Sequence, residues 1–401
     1  MNFRDVVVVS ACRTPIGKFQ GQFSSLTARD LAIIAGKEAI RRAGIDPKAV
    51  DSCAMGELYT AMQGSLPARQ VSMRIGLDPR SNAVSVNQNC ASGMRAIEVL
   101  ANEIQLGKAE IGLAIGVESM TNAPYLLSKG RMGYRMGTGE IYDSMLHDGL
   151  YDELTPGHMG VTAENVAKIY GITREECDEL AVTSHQRACA AIDAGLFEDE
   201  IVPVTVHTRK GDVVYTTDEH PIRNCTIDKI NKMRPAFIKD GVITAANASG
   251  INDAAAAVVL MSADKAKELG LTPMVRLIYA CSEGVAPEIM GVGPAVAIPK
   301  CLKAAGLSFD DVEYWEINEA FSAQFIGVGR KLKEDYGIEL SMDKVNHNGS
   351  GIALGHPVGC TGLRIVVSLI YEMIHKDYKI GGASLCVGGG PAMASLWTRD
   401  I

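Results

Sequence analysis

The chain reads as an α/β protein on three grounds. Glycine supplies 41 of 401 residues while aromatics supply only 5%, a composition suited to strands and helices joined by tight turns. Short apolar runs of strand length alternate with longer stretches in which apolar residues recur every three or four positions. A similar order of elements then returns near the C-terminus. With 47% apolar residues, the chain can build two or three compact units.

In chain order, Val6 to Val9 has the character of a buried strand, and Thr27 to Ala43 places Leu31, Ile34, Ala35 and Ala39 at helical spacing before a terminating Gly44. Asn82 to Val86 is extended. Gly93 to Leu106 aligns Ile97, Leu100 and Ile104 on one helical face, and Ile111 to Val117 is a buried strand. This alternation implies a sheet with helices on its faces. Residues 121–248 interrupt the rhythm with Gly, Met, Pro and charged residues, as an insertion that carries binding residues would. Ala254 to Met261 resumes as a buried strand or helix belonging to the first half. Later come Val345 and Asn346, a Gly-rich turn, a helix around Gly362 to Ile374, and a strand from Ala383 to Val387. Val86-Asn87-Gln88-Asn89-Cys90-Ala91-Ser92-Gly93 can be set against Val345-Asn346-His347-Asn348-Gly349-Ser350-Gly351. The expected organisation is therefore a first half at 1–120 continuing at 249–272, an inserted unit at 121–248, and a related second half at 273–401.

A net charge of -8 gives no support to a nucleic-acid partner. The ten cysteines form no C-x-x-C pair and no zinc-suited spacing, so no metal site is expected and the thiols read as reduced in a cytoplasmic protein. Val6 to Val9 is followed at once by Ser10, Cys12, Arg13 and Pro15, too short a run for a signal-peptide core. No apolar run approaches the roughly 20 residues of a membrane helix. No membrane partner is expected.

Three segments carry candidate chemistry. Cys90 lies between a strand and the helix near Gly93, where unpaired N–H groups and the helix dipole favour a thiolate. His356 sits in the glycine-dense turn Gly355-His356-Pro357-Val358-Gly359 and could act as a base toward a nearby thiol. Cys386 opens Cys386-Val387-Gly388-Gly389-Gly390, a second thiol beside exposed N–H groups. Taken singly, each is more often a packing residue in a turn.

Together with Asn318-Glu319-Ala320-Phe321, these motifs resemble the thiolase family over essentially the whole chain. The insertion is similar to the loop domain of the short-chain biosynthetic type at Glu118-Ser119-Met120, Arg131 to Gly137, Asp148-Gly149-Leu150, His158-Met159-Gly160 and Thr162-Ala163-Glu164-Asn165, followed by Arg234-Pro235-Ala236-Phe237 and Asn247-Ala248-Ser249-Gly250. The resemblance implies two thiolase halves of layered helices and mixed sheets, with the loop domain above them, assembled as a homodimer or homotetramer; a further protein subunit stays open. It implies that Cys90 is acylated by a coenzyme A thioester while His356 takes its proton. Cys386 then exchanges a proton with the α-carbon of a second acyl-CoA. One oxyanion hole would comprise His356 with a water held by Asn318, the other the N–H groups of Cys90 and Gly388. Leu150, His158, Met159, Phe237, Ala245, Ser249, Ala320 and Phe321 would line the pantetheine channel, with Arg223 near the adenine nucleotide. Coenzyme A thioesters are substrates, and no tightly bound cofactor is implied.

Ala246, Ser350 and Pro391-Ala392 depart from the family pattern, and side chains added in close-packed turns would reshape an acyl pocket. Acetyl transfer between acetyl-CoA molecules is the first expectation, and cleavage of a branched, dicarboxylic or aromatic 3-oxoacyl-CoA the alternative. A ketoacyl synthase would use a second histidine where Asn318 stands. A non-catalytic lipid-binding or scaffold subunit would not need Cys90, His356, Asn318 and Cys386 together.

Overall fold

In the computed structural model, which describes residues 3–401, the first apolar run continues beyond its valines. Strand β1 spans Val6–Arg13 and is buried at every residue, as expected of a strand covered on both faces by helices. The first half adds β2 (Ser52–Gly56), β3 (Asn82–Val86) and β4 (Ile111–Ser119). Its helices are α1 (Ala28–Ala43), α2 (Pro67–Ile75) and α3 (Ser92–Gln105). Thr27 and Asp30 form a reciprocal capping box at the start of α1, and Gly44 ends it at φ 68°, the left-handed cap that glycine adopts without a steric penalty.

The chain then leaves the sheet for an insertion that is more regular than its sequence suggests. It contains α4 (Met159–Tyr170), α5 (Arg174–Asp193) and a hairpin of β5 (Val204–Thr208) and β6 (Gly211–Tyr215). Helix α5 buries mostly small or polar residues such as Cys177, Asp178, Ala181, Ser184 and Ala188, with Leu180 and Val182 its only large aliphatics, so no continuous helical stripe is legible. Its Thr173–Glu176 capping box was the readable signal. Arg13 pins this region to β1, pairing through Nη1 with Asp218 at 2.7 Å and through Nε with Glu200 at 2.5 Å, all of it buried. The chain returns as β7 (Asn252–Ser262), which is a strand and lies antiparallel between β1 and β4.

The second half comprises β8 (Val275–Gly284), α6 (Pro294–Ala305), β9 (Tyr314–Ile317), α7 (Ser322–Tyr336), α8 (Val358–His375), β10 (Ile380–Cys386) and β11 (Pro391–Thr398). The strand orders β2-β4-β7-β1 and β9-β10-β11-β8 correspond. In each set the first pair is parallel and the next two are antiparallel. The two ladders meet where Val7 and Val8 of β1 pair with Arg276 and Val275 of β8. The first half has β3 as an extra edge strand, parallel to β2; at the corresponding edge the second half has only a bridge between Trp315 and Val345.

Helices α3 and α8 form the central layer, packed on each other and on the strands around them. Helix α8 has a mean hydropathy of 1.3 over 18 residues and is 83% buried. By length and composition alone it could cross a membrane, contrary to the expectation that no segment could. Its apolarity follows from enclosure within the fold. The α3–α8 approach depends on glycine: a Cβ on Gly93 would stand 2.8 Å from Leu363, and one on Gly362 would stand 2.8 Å from the Met94 backbone nitrogen.

Candidate active site

The close crossing brings two helix N-termini together. Cys90 precedes Ser92, the first residue of α3, and His356 precedes Val358, the first of α8, by the same interval. The Gly362 N–H donates to the Cys90 carbonyl at 3.2 Å, tying one turn to the other. The result is a contact of 3.2 Å between Cys90 Sγ and His356 Nε2. On its far side the imidazole places Nδ1 2.6 Å from Thr361 Oγ1, and its backbone N–H donates to Asn252 Oδ1 at 3.0 Å.

Burial, reinforced by the charge of Arg364, depresses the His356 pKa to about 3 and keeps the ring neutral. Burial also pushes the Cys90 thiol up to about 12, against the opposing pull of the Gly388 and Cys90 N–H groups that face its sulfur. Desolvation therefore opposes the thiolate that the helix terminus favours. The Cys90 thiol thus faces a ring nitrogen that burial keeps uncharged.

These residues open on a cavity of about 540 Å³ that Cys386 and Gly388 also line. Cys386 ends β10, and its buried thiol is raised above the ordinary range by burial first and by neighbouring Cys90 second. Asn89, at φ 45°, donates through Nδ2 to the Gly388 carbonyl at 3.1 Å. A Cβ on Gly388 would stand 2.7 Å from Met159 Cε, so glycine permits this close approach.

The thiolase N-terminal domain model matches residues 6–264, and the thiolase C-terminal domain model matches residues 271–399. The chain is a thiolase. An acetyl-CoA acetyltransferase from Cupriavidus necator is 48% identical over 391 residues, covering 97% of this chain and 98% of that protein. The structure of acetyl-CoA acetyltransferase from Syntrophomonas wolfei has a TM-score of 0.98 at 58% identity, covering 99% of this chain and 100% of that one. The human mitochondrial 3-ketoacyl-CoA thiolase in complex with CoA has a TM-score of 0.94 at 39% identity, covering 99% and 98%.

In this thiolase all eight expected channel residues line the cavity: Leu150, His158, Met159, Phe237, Ala245, Ser249, Ala320 and Phe321. His158 caps α4, accepting the Gly160 N–H at Nδ1 over 3.0 Å, so its neutral ring carries the proton on Nε2. It stacks on Phe237 at 4.6 Å, and Phe237 meets Phe321 edge-on at 5.9 Å, forming an aromatic wall.

Asn318 and Arg223 stand apart from the cavity lining. Asn318 directly follows β9, is buried, and its side-chain oxygen and nitrogen make no hydrogen bond to protein atoms. Arg223 is exposed and pairs with Asp193 at 2.8 Å. Ala246, Ser350, Pro391 and Ala392 are also absent from the lining. Ser350 instead donates to the Ile317 carbonyl at 3.2 Å, and Ala246 and Ala392 belong to the outer apolar cluster of the second half. The reading of the sequence missed Asn89, Met120, His220, Met290 and Val358 as lining residues. Asn89, Met120 and Val358 lie within quoted motifs; His220 and Met290 carry no sequence signal of their own.

Proposed function

We propose that this thiolase is an acetyl-CoA C-acetyltransferase, converting two acetyl-CoA molecules reversibly to acetoacetyl-CoA and free CoA. The observation that carries this reading is the 3.2 Å Cys90–His356 contact beside Cys386 in one cavity. The names and near-complete coverage of its acetyltransferase relatives support the acetyl substrate.

Cys90 attacks the acetyl carbonyl as His356 Nε2 accepts its proton. Cys386 gives its thiol proton to the departing CoA sulfur and becomes a thiolate, while His356 keeps the Cys90 proton; this leaves acetyl-Cys90, and covalent storage divides the transfer into two easier steps. The N–H groups of Cys90 and Gly388, which face the sulfur, stabilise negative charge on the acyl oxygen. Asn318 supports a water-mediated donor with His356 for the second thioester. In synthesis the Cys386 thiolate removes a proton from the α-carbon of the second acetyl-CoA, that carbon attacks the acetyl-Cys90 carbonyl, the carbon–sulfur bond breaks, and the departing Cys90 sulfur takes back its proton from His356; cleavage runs the same steps in reverse. The raised thiol pKa suits both directions, because its thiolate is a strong base and its thiol arrives protonated. Coenzyme A occupies the channel beside the His158–Phe237–Phe321 wall, with Arg223 toward the nucleotide.

The unit at 121–248 acts as the coenzyme A-binding loop domain on the two halves. Self-association as a homodimer or homotetramer accompanies this reading, supported by edge strand β3 and exposed Tyr125, Met132 and Met136; sedimentation that finds only monomers would reject it.

The deciding experiment uses Cys386→Ala. This variant should form acetyl-Cys90, seen by mass spectrometry of the quenched enzyme, yet exchange the α-protons of acetyl-CoA with deuterated solvent very slowly by NMR. Condensation and thiolysis should fail together. Normal exchange would reject Cys386 as the carbon base, and loss of acylation with exchange intact would mean the two thiols have opposite tasks. Turnover of aryl or branched 3-oxoacyl-CoAs above acetoacetyl-CoA would reject the acetyl assignment alone.

A further inference from the structure

The far side of the imidazole holds a device that neither the motif nor the proposed chemistry requires to be present. A neutral histidine carries one ring proton, and its position decides whether Nε2 can act as a base toward Cys90. If the proton sits on Nε2, the ring presents a donor to the thiol and cannot take its hydrogen. The nitrogen that holds the proton is set by what the opposite nitrogen meets.

Among the described residues, Nδ1 of His356 meets only one side-chain group in hydrogen-bond range, the Thr361 hydroxyl at 2.6 Å. A hydroxyl can donate or accept, so its own proton must be located. Thr361 lies one turn into α8, and its Oγ1 is 2.9 Å from the Pro357 carbonyl. A carbonyl has no hydrogen to give, so the Thr361 hydroxyl donates to Pro357 and turns its lone pairs toward Nδ1. This is the back-bond that a helical threonine makes to the carbonyl four residues earlier. Both Oγ1 and the imidazole are buried, so water competes poorly for either. Once Cys90 has surrendered its proton, both ring nitrogens carry hydrogen, and Nδ1–H still requires an acceptor.

From this chain of donors we infer that Thr361 is a positioning residue: by accepting Nδ1–H it holds His356 in the tautomer whose Nε2 lone pair faces Cys90, and it stabilises the imidazolium formed on proton transfer. Pro357 contributes through its carbonyl and supplies the outlet for the Thr361 proton. The relay is Pro357 carbonyl, Thr361 hydroxyl, His356 ring and Cys90 thiol, and its first three members lie within residues 356–361, at the start of one helix. The inference rests on His356 serving as the base of the proposed reaction.

The test compares Thr361→Val, which keeps the shape but lacks the hydroxyl, with Thr361→Ser, which keeps the hydroxyl. Acylation is read as the burst of CoA released from acetyl-CoA in a single turnover, with His356→Ala in parallel. Losing a hydrogen bond to a charged group corresponds to a rate loss of about ten- to a hundredfold. Thr361→Val should fall by that factor with an unchanged KM for acetyl-CoA, and Thr361→Ser should return to within about threefold of the parent. In the unmodified enzyme, ¹⁵N NMR of labelled histidine should find the His356 proton on Nδ1. In Thr361→Val it should move toward Nε2, a change that loss of packing alone would not cause. Acylation by folded Thr361→Val within about threefold of the parent, or a resting proton on Nε2 in the parent, overturns the inference. If Thr361→Val does not fold, the NMR assignment in the unmodified enzyme still decides. Should His356→Ala acylate normally, the proposed role of His356 fails first, which separates the two conclusions.

Discussion

The two halves share a strand order, a set of strand directions and a central helix, yet put different chemistry at corresponding places. The first presents a cysteine just ahead of α3, and the second presents a histidine at the same interval ahead of α8. Each alone would be an ordinary residue at a helix start. Because α3 and α8 cross at glycine, the two turns become one site, and the repeat supplies a thiol and an imidazole, the proposed nucleophile and base, rather than two copies of either. The halves also differ in support. Glu118, at the end of β4, reaches across the boundary to accept N–H groups from Leu58 at 3.1 Å, Tyr59 at 3.2 Å and Gly359 at 2.8 Å. It thereby fastens the start of α8 to the first half.

The largest effect expected from breaking this comparison comes from removing the unlike residues themselves. Cys90→Ala should yield no acyl-enzyme by mass spectrometry, and His356→Ala should slow acylation by about a hundredfold to ten-thousandfold. Equal acylation by Cys90→Ala would place the nucleophile elsewhere.

The crossing is tested next. Gly362→Ala puts a methyl group against the backbone of α3 near Met94, and overpacking of this kind costs about 1–3 kcal/mol. The variant should melt several degrees lower and acylate more slowly than its stability loss explains, because the Cys90–His356 contact opens. An unchanged melting temperature with full activity would show that the helices do not need glycine there.

Glu118→Gln sharpens the asymmetry of support without touching either reacting residue. The amide keeps a single acceptor oxygen, whereas the three N–H groups are shared between both carboxylate oxygens, so its NH2 group leaves at least one N–H without an acceptor, and a loss of about 1–3 kcal/mol is expected in denaturant titration. Stability equal to that of the parent would mean the carboxylate's desolvation offsets its hydrogen bonds.

Near neutral pH the smallest effect is in the pH dependence of stability, which grows only on acidification. Folding depresses the His356 pKa from 6.5 to about 3, so between those values the unfolded chain binds a proton that the fold excludes. The contribution is fully present above the unfolded value and is lost as pH falls toward the folded one. His356→Ala should therefore have a shallower decline on acidification, by at most about 1.4 kcal/mol per pH unit. Parallel curves for parent and variant would mean His356 titrates alike in both states.

Much of this was legible in local signals. Thr27 and Gly44 bracket α1, and the apolar spacing of Ile97, Leu100 and Ile104 marks α3, because capping and periodicity act over a few residues. Helix α5 was not legible because small and polar side chains make up most of its buried face, and β7 could be read as either strand or helix until its partners β1 and β4 were in place. The motifs around Cys90, His356 and Cys386 identified the chemistry to look for. They did not fix its electrostatics: a helix terminus favours a thiolate, whereas burial by distant segments pushes the thiol up to about 12.

The sequence by itself determined the fold class, the family resemblance and the candidate reactive side chains, since these reside in composition, periodicity and short motifs. Tertiary structure alone decided that Cys90 and His356 touch, that Asn318 and Arg223 stand outside the cavity lining, and that His220 and Met290 contribute to it. The physical reason is range: caps and helical stripes act between neighbours in sequence, while the 3.2 Å contact joins residues 266 positions apart through the packing of two central helices.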